Sequence, residues 1–322
     1  MWHYCAPCWL PGGHLQTIYA AKLARNRKKT ARTWTRQRWT TPDQDFIDVD
    51  WQVANGGANA PLLVLFHGLE GSSNSHYARA FAQMAQERGW SIAVAHFRGC
   101  SGEPNLAPRA YHSGDYQEVD WILRKFRASH RAEIYAVGVS LGGNALMKWA
   151  GEMQGAAQAV VDAAVSICSP LDLTASGHAI GRGFNRWCYT PMFLASMKPR
   201  AKHKFEQFPG LFDLDAVLRA KNLYEFDAAF TAPLHGFESA DDYWRRASAK
   251  PVMESIAVRA LAINAQNDPF IPPSSLPNAQ DVSQHVTLWQ TAHGGHVGYP
   301  SAPWPGHVFA LPQAVARWLQ QA

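Results

Sequence analysis

The most informative segment of the sequence is Ile134-Tyr135-Ala136-Val137-Gly138-Val139-Ser140-Leu141-Gly142-Gly143. Its first six residues form an apolar run of strand length, and a helix-forming segment begins at Leu141. Glycines on both sides of Ser140 allow the backbone to turn sharply, which would leave the serine hydroxyl exposed above the end of the strand. We therefore predict a strand–turn–helix unit with Ser140 as a nucleophile. The alternative is a buried glycine-rich turn without chemistry.

On both sides of this stretch, short apolar runs alternate with helix-like segments. The predicted strands are Leu62–Phe66, Ile92–His96, Ile134–Val139, Ala163–Ile167, Val258–Asn264 and Val286–Trp289. The predicted helices are Tyr77–Arg88, Asp115–Arg127, Leu141–Glu152 and His307–Leu319. Before them, polar and apolar residues alternate at Thr33–Trp39 and Phe46–Val53, as in an antiparallel hairpin at a sheet edge. The pattern predicts one α/β domain over residues 1–322, with a mostly parallel sheet of about eight strands and helices on both faces.

Two segments depart from this alternation. Residues 1–42 form a basic N-terminal segment, and residues 171–250 contain no strand-like run. The second segment follows a strand at the expected catalytic edge, so we predict that it forms a helical cap. The alternative is a helical excursion that does not contact the substrate. Five apolar residues of the cap are candidates for lining an acyl pocket: Trp187, Met192, Phe193, Leu194 and Met197.

Composition excludes several classes of protein. The chain has 322 residues, of which 47% are hydrophobic and 17% charged, with 13 Trp, so intrinsic disorder is not expected. No apolar run approaches the roughly 20 residues of a membrane span, and the start of the chain does not have the pattern of a secretory signal. Five scattered cysteines do not make a disulfide framework. Cys5 and Cys8 form a CxxC that lacks a second ligand pair, so we expect reduced thiols, a cytoplasmic location and no metal.

Charge is unevenly distributed along the chain. Residues 1–38 contain eight Lys and Arg and no acidic residue, whereas the remainder contains 22 basic and 25 acidic side chains. We interpret the basic segment as a solvated face, and peripheral contact with an anionic membrane is the alternative. Because no nucleic-acid-binding motif accompanies it, nucleic acid is not an expected partner.

A serine hydroxyl needs a base, and the base needs an acid to orient it. In proteins with this strand–serine–helix turn, the acid and then the base follow the serine along the chain. Asp268 follows the strand Val258–Asn264, and His296 follows Val286–Trp289, so both would lie at the edge that carries the serine. Asp172 is the rival acid and His293 the rival base.

Catalysis of acyl transfer also needs donors for an oxyanion. The segment Phe66–Gly71 follows directly on a predicted strand, and a His-Gly turn there would direct backbone N–H groups toward the serine. We predict that the N–H groups of Leu69 and Leu141 form the oxyanion hole. His67 itself is expected to be a structural hydrogen-bonding residue.

Several longer motifs, in this order along almost the whole chain, resemble the YheT-like branch of the α/β-hydrolase superfamily, also called the AB hydrolase 4 family. They are Trp9–Thr17, His67–Ser73, Phe97–Gly102, Tyr111–Gly114, Gly138–Asn144, Ser169–Leu173, Thr231–Phe237, Asp241–Tyr243 and Gly294–Gly298.

The resemblance implies an α/β-hydrolase fold and a serine hydrolase acting on carboxylic esters. It implies Ser140, Asp268 and His296 as the catalytic triad, with the base assigned to His296 of the Gly-Gly-His motif. No cofactor is expected, and the expected partner is a small-molecule ester with a short- to medium-length acyl chain. An acyltransferase or a lipid or phospholipid lipase with the same triad is the alternative, and a non-catalytic binding module is disfavoured because all the catalytic groups are present.

Overall fold

The structure is a computed structural model that describes residues 2–24 and 33–321 of the chain. Its strands are β1 (Thr35–Thr40), β2 (Phe46–Gln52), β3 (Leu62–Phe66), β4 (Ser91–Ala95), β5 (Ile134–Val139), β6 (Ala163–Ile167), β7 (Ala260–Ala265) and β8 (Val286–Thr291). The described strands form one sheet in the order β1-β2-β4-β3-β5-β6-β7-β8. Strands β1 and β2 pair antiparallel, β2 pairs antiparallel with β4, and all the remaining pairs are parallel.

The five central strands explain why the sheet needs cover on both faces. Strands β3 to β7 are buried along their whole length, and their sequences are almost continuously apolar. The helices are α1 (Gly13–Lys22), α2 (His76–Arg88), α3 (Tyr116–Ser129), α4 (Leu141–Met153), α5 (Leu173–Ile180), α6 (Gly183–Gln207), α7 (Leu214–Arg219), α8 (Leu223–Phe226), α9 (Ala232–His235), α10 (Ala240–Ala247) and α11 (Ala310–Gln320). Helices α2 and α11 pack on one face of the sheet, and α3 and α4 pack on the other.

The fully described stretch between β6 and β7 contains helices and no strand. Helices α5 to α10 lie there, and a single π-helical turn, Asp227–Thr231, joins α8 to α9. These elements have their own apolar cluster, in which Leu194 of α6 packs with Phe212, Val217 and Phe230. No helix among the described residues is long and apolar enough to cross a lipid bilayer.

The structure confirms the α/β fold, the edge hairpin and most of the predicted elements. The last helix differs: it begins at Ala310 and not at His307, because His307 exchanges backbone hydrogen bonds with Ser301 in a short bridge. The sequence patterns do not predict helix α1. Its first residue is Gly13, a poor helix former, and no side chain caps its N-terminus, so tertiary contacts and not intrinsic propensity must stabilise its first turn.

The basic N-terminal segment is only partly described. Five of its eight basic side chains, Arg25, Arg27, Lys28, Lys29 and Arg32, lie outside the described residues, so both the solvated face and the alternative of membrane contact fall largely on that part of the chain. Arg36 and Arg38 of β1 form ion pairs with Asp50 and Asp48 of β2. These two arginines therefore stabilise the hairpin.

Candidate active site

Ser140 lies at a strained turn between β5 and α4. Its backbone has φ 53° and ψ −121°, a conformation that side-chain-bearing residues rarely adopt. The neighbouring glycines make the turn possible. A Cβ on Gly138 would lie 2.4 Å from the carbonyl oxygen of Gly142, and a Cβ on Gly142 would lie 2.5 Å from that of His67. The tight packing holds the serine hydroxyl above the carboxyl end of the sheet, as the sequence predicts.

The predicted acid and base meet the serine at this edge. His296 Nε2 lies 2.9 Å from Ser140 Oγ, and His296 Nδ1 lies 2.8 Å from Asp268 Oδ2. Asp268 is buried, and its other oxygen, Oδ1, accepts a hydrogen bond of 2.8 Å from the Phe270 N–H. An imidazole that donates from Nδ1 to the carboxylate has a free lone pair on Nε2, so it can accept the serine proton.

The two rival residues lie elsewhere. Asp172 is the N-cap of α5, where its side chain accepts a hydrogen bond from the Ala175 N–H. His293 is exposed, and its Nδ1 lies 3.5 Å from the side-chain nitrogen of Asn267. Within residues 2–24 and 33–321, no group of three His, Cys, Asp or Glu side chains could hold a metal ion.

The predicted oxyanion turn lies directly beside the serine. A Cβ on Gly68 would lie 3.1 Å from Ser140 Cβ, so the turn after β3 approaches the nucleophile closely. Leu69 and Leu141 both line the cavity into which Ser140 opens. Leu141 is the first residue of α4, and the first N–H groups of a helix have no acceptor within it. Leu69 and Leu141 therefore both border the space in front of Ser140.

His67 stabilises this turn through hydrogen bonds of both its ring nitrogens. Its Nε2 accepts a hydrogen bond of 3.0 Å from the Phe97 N–H, so Nδ1 carries the proton and donates to the Gly68 carbonyl at 2.8 Å. Complete burial lowers the pKa of His67 to about 3, which keeps the ring neutral. The structural role that the sequence predicts for His67 is confirmed.

The oxyanion turn is also linked to the helices between β6 and β7. Glu70, the next residue of the turn, accepts a hydrogen bond from the Tyr111 hydroxyl at 2.8 Å and forms an ion pair with Arg200 of α6 at 2.7 Å. Arg200 also donates to the Gly99 carbonyl. The position of α6 and the geometry of the turn are therefore connected by a short polar network.

Sequence reasoning missed the helix that supports the acid and base loops. Gln16 Oε1 accepts hydrogen bonds from the Gly294 N–H at 2.9 Å and from the Asn267 side chain at 3.1 Å. Thr17 Oγ1 accepts a hydrogen bond of 2.8 Å from the His296 N–H. Helix α1 therefore ties together the loops that carry Asp268 and His296. The available signal is the motif Trp9–Thr17, which carries part of the family resemblance but does not by itself indicate a contact with loops so far along the chain.

The hydroxyl of Thr17 should matter for turnover. In Thr17→Val the backbone N–H of His296 loses its acceptor, and we expect kcat for ester hydrolysis to fall about 10- to 100-fold with little change in KM, because a displaced base is costly. Thr17→Ser, which keeps the hydroxyl, should restore most of kcat. Steady-state kinetics on the three proteins is the test, and an unchanged kcat in folded Thr17→Val would contradict it.

A small apolar cavity of about 100 Å³ opens at Ser140. Of the five cap residues proposed for an acyl pocket, Phe193 and Met197 line it. Leu194 is instead buried within the cluster of α6 to α9, and Trp187 and Met192 are 79% and 47% exposed. The sequence could not separate these residues, because it did not show which face of α6 turns toward the sheet.

Fold and site geometry define a class of protein. A serine on a sharp strand–helix turn, with an acid and a histidine supplied later in the chain, is the arrangement of the α/β hydrolases. The family model described as the alpha/beta hydrolase fold matches residues 61–303, and the chain belongs to this family.

Individual relatives specify the class further. YheT of Escherichia coli (strain K12), whose name places it among the esterases, is 40% identical over 89% of this chain and 84% of its own. Phospholipase ABHD3 of Mus musculus is 27% identical over 87% of this chain and 70% of its own. The solved structure of Est1E from Butyrivibrio proteoclasticus, with ferulic acid bound, matches with a TM-score of 0.56 and 14% identity over 88% of this chain and 97% of that chain, which is a likeness of fold. This chain is accordingly an enzyme, an ester hydrolase, and the resemblance inferred from its motifs is confirmed.

Proposed function

We propose that the chain is a serine esterase that cleaves carboxylic esters through an acyl-enzyme, with Ser140 as nucleophile, His296 as general base and Asp268 as the orienting acid. One observation carries the proposal: the continuous line of hydrogen bonds from Ser140 Oγ through His296 to Asp268, with distances of 2.9 and 2.8 Å. Both lie within the range needed for proton transfer between a nucleophile and its base.

The first half of the reaction follows from this geometry. Ser140 Oγ attacks the ester carbonyl while His296 Nε2 takes its proton, and buried Asp268 stabilises the imidazolium that forms. The N–H groups of Leu69 and Leu141 donate to the oxyanion. His296 then returns the proton to the leaving alcohol, and the acyl group remains on Ser140. Water, activated by the same histidine, resolves the acyl-enzyme in the second half.

A fluorophosphonate probe tests the proposal directly. Such probes react with activated serines, so we expect one adduct, located on Ser140 by peptide mass spectrometry and absent from Ser140→Ala. Ser176 provides an internal control. It lines the same cavity, but its hydroxyl has no hydrogen-bond partner among the described residues and so lacks a base. An adduct on Ser176, or none on folded wild-type protein, would contradict the assignment of Ser140.

We propose short- to medium-chain acyl esters as substrates. The cavity at Ser140 is about 100 Å³, and a neighbouring cavity is about 340 Å³. Together they lie in the lower part of the size range typical of sites for small molecules. The names of the relatives, an esterase and a phospholipase, support esters as the general class of substrate.

The length of the acyl chain should therefore have an optimum. Across p-nitrophenyl esters from acetate to palmitate, we expect kcat/KM to rise about fourfold for each buried CH₂ and then to fall once the cavities are filled. Measurement below the solubility limit of each ester provides the profile. A steady rise into insoluble long-chain esters would exclude this substrate range.

A further inference from the structure

The cavity of about 100 Å³ at Ser140 and the neighbouring cavity of about 340 Å³ share a wall beside the catalytic groups. The residues that line both are Leu69, Leu141, Met197, Asp227 and Tyr243. The first two carry the proposed oxyanion donors, so a substrate whose carbonyl lies there extends along this wall. Because Ser140 and Asp227 line the same cavity of about 100 Å³, one small ester can reach both.

Asp227 is the only carboxylate of this shared wall. It is the first residue of the π-helical turn Asp227–Thr231, and such turns occur often at functional sites. Its Oδ1 accepts a hydrogen bond of 2.6 Å from the Thr231 hydroxyl, and its Oδ2 accepts one of 2.8 Å from the Trp244 indole N–H. A carboxylate has about four acceptor positions, so each oxygen keeps one free lone pair.

The surroundings of Asp227 make the ionised form of its carboxylate energetically unfavourable. Among the described residues, no Lys, Arg or His forms an ion pair with Asp227. Burial raises the pKa of Asp227 to about 6, as expected for a carboxylate without a cationic partner. The neighbouring Tyr243 hydroxyl accepts the Ser113 N–H, and among the described residues no hydrogen bond joins it to Asp227, whose side-chain partners are Thr231 and Trp244. An asparagine at this position could accept the Trp244 N–H equally well, so this hydrogen bond does not explain why the side chain is a carboxylate. The negative charge therefore points to an additional hydrogen-bond donor that arrives with the ligand.

We propose that Asp227 accepts a hydrogen bond from a hydroxyl group of the substrate, so that the enzyme prefers hydroxylated esters. The inference rests on the proposed function, because it positions the hydroxyl relative to a carbonyl bound at Ser140. The hydroxyl could belong to the alcohol half, as in a glycerol monoester, or to the acyl half, as in a hydroxyacyl ester. The chemistry at Asp227 is the same in both cases.

Two pairs of esters test the preference and distinguish its source. The first pair is glycerol monobutyrate and propyl butyrate, and the second is ethyl 4-hydroxybutyrate and ethyl butyrate. For the wild-type enzyme we expect kcat/KM to favour the hydroxylated member of one pair about 10- to 100-fold, the range of a hydrogen bond to a charged group. The pair that shows the preference identifies the half of the substrate that carries the hydroxyl.

Asp227→Asn should reduce this ratio toward one, with the change mainly in KM. Asp241→Asn is the matched control, because Asp241 is an exposed carboxylate on α10 that bonds to Tyr224. It should keep the wild-type ratio. A ratio that persists in Asp227→Asn, or an equal loss on both members of a pair, would show that Asp227 is only structural and would overturn the inference.

Measurements on the wild-type enzyme alone also test the preference for hydroxylated esters, so the test does not depend on the folding of a variant. Turnover of propyl butyrate and ethyl butyrate without a preference in either pair overturns the inference but leaves the serine esterase intact. Absence of turnover on all four esters, together with absence of a fluorophosphonate adduct, contradicts the proposed function itself.

Discussion

Ser140→Ala should lower kcat for p-nitrophenyl butyrate by about 10⁶-fold, the loss measured when the nucleophile of a comparable triad is removed. The reason is that the acyl-enzyme cannot form, and His296 is left without the hydroxyl that lies 2.9 Å from its Nε2. The residual rate should still exceed that of the reaction in water by roughly 10³-fold, because the oxyanion donors and the binding cavity remain.

The folded state of this variant must be checked, and the structure suggests that it is retained. Alanine removes only an oxygen, although it must adopt the same left-handed backbone at φ 53°. Circular dichroism and the melting temperature should therefore change little. Near-normal ester turnover in folded Ser140→Ala would exclude this serine as the nucleophile.

Asp268→Asn should have the second largest effect, a fall in kcat of about 10⁴-fold. A carboxylate at 2.8 Å keeps the proton of His296 on Nδ1, whereas an amide can donate its own proton to Nδ1. The proton of the imidazole would then lie on Nε2, which could no longer accept the serine proton. The substitution changes the tautomer and little else, so binding of a substrate analogue should be nearly unaffected.

Asp172→Asn is the matched control for this experiment. Asp172 is the rival acid from the sequence, and at the N-cap of α5 asparagine serves as well as aspartate. Its kcat should therefore remain close to the wild-type value. Kinetics on both variants decides between the acids: a large loss in Asp172→Asn with near-normal turnover in Asp268→Asn would reverse the assignment.

The strands were predictable because strands buried on both faces consist almost entirely of apolar residues. The bounds of β3, β5 and β6 agree with the apolar runs of the sequence. The edge of the sheet that carries the candidate site followed as well, since parallel strands bring their carboxyl ends together. Ser140, Asp268 and His296 each follow such a strand, so topology was enough to place them at one edge. The rivals Asp172 and His293 follow strands at the same edge, and the choice of His296 came from the resemblance in the Gly-Gly-His motif.

What could not be predicted depends on packing between distant segments. Helix α1 begins at a glycine because a Cβ on Gly13 would lie 1.8 Å from the Asn267 carbonyl oxygen, a contact that local propensity does not encode. The Glu70–Arg200 ion pair joins the oxyanion turn to a helix far along the chain. The role of Asp227 could not be predicted, because a single carboxylate in a helical region without strands has no motif of its own.

Because helix α1 is hydrogen-bonded to the loop that carries His296, activity can appear only late in the synthesis of the chain. Gln16 and Gly294 are 278 residues apart in the chain, and their hydrogen bond joins the first helix to the last catalytic loop. A ribosome adds about 5–20 residues per second, so α1 waits on the order of tens of seconds for its partners. Until then its buried face has no cover from that loop. The site therefore becomes competent only after the loop that carries His296 has emerged from the ribosome, and a ribosome-bound fragment that ends before β8 should bind no active-site probe.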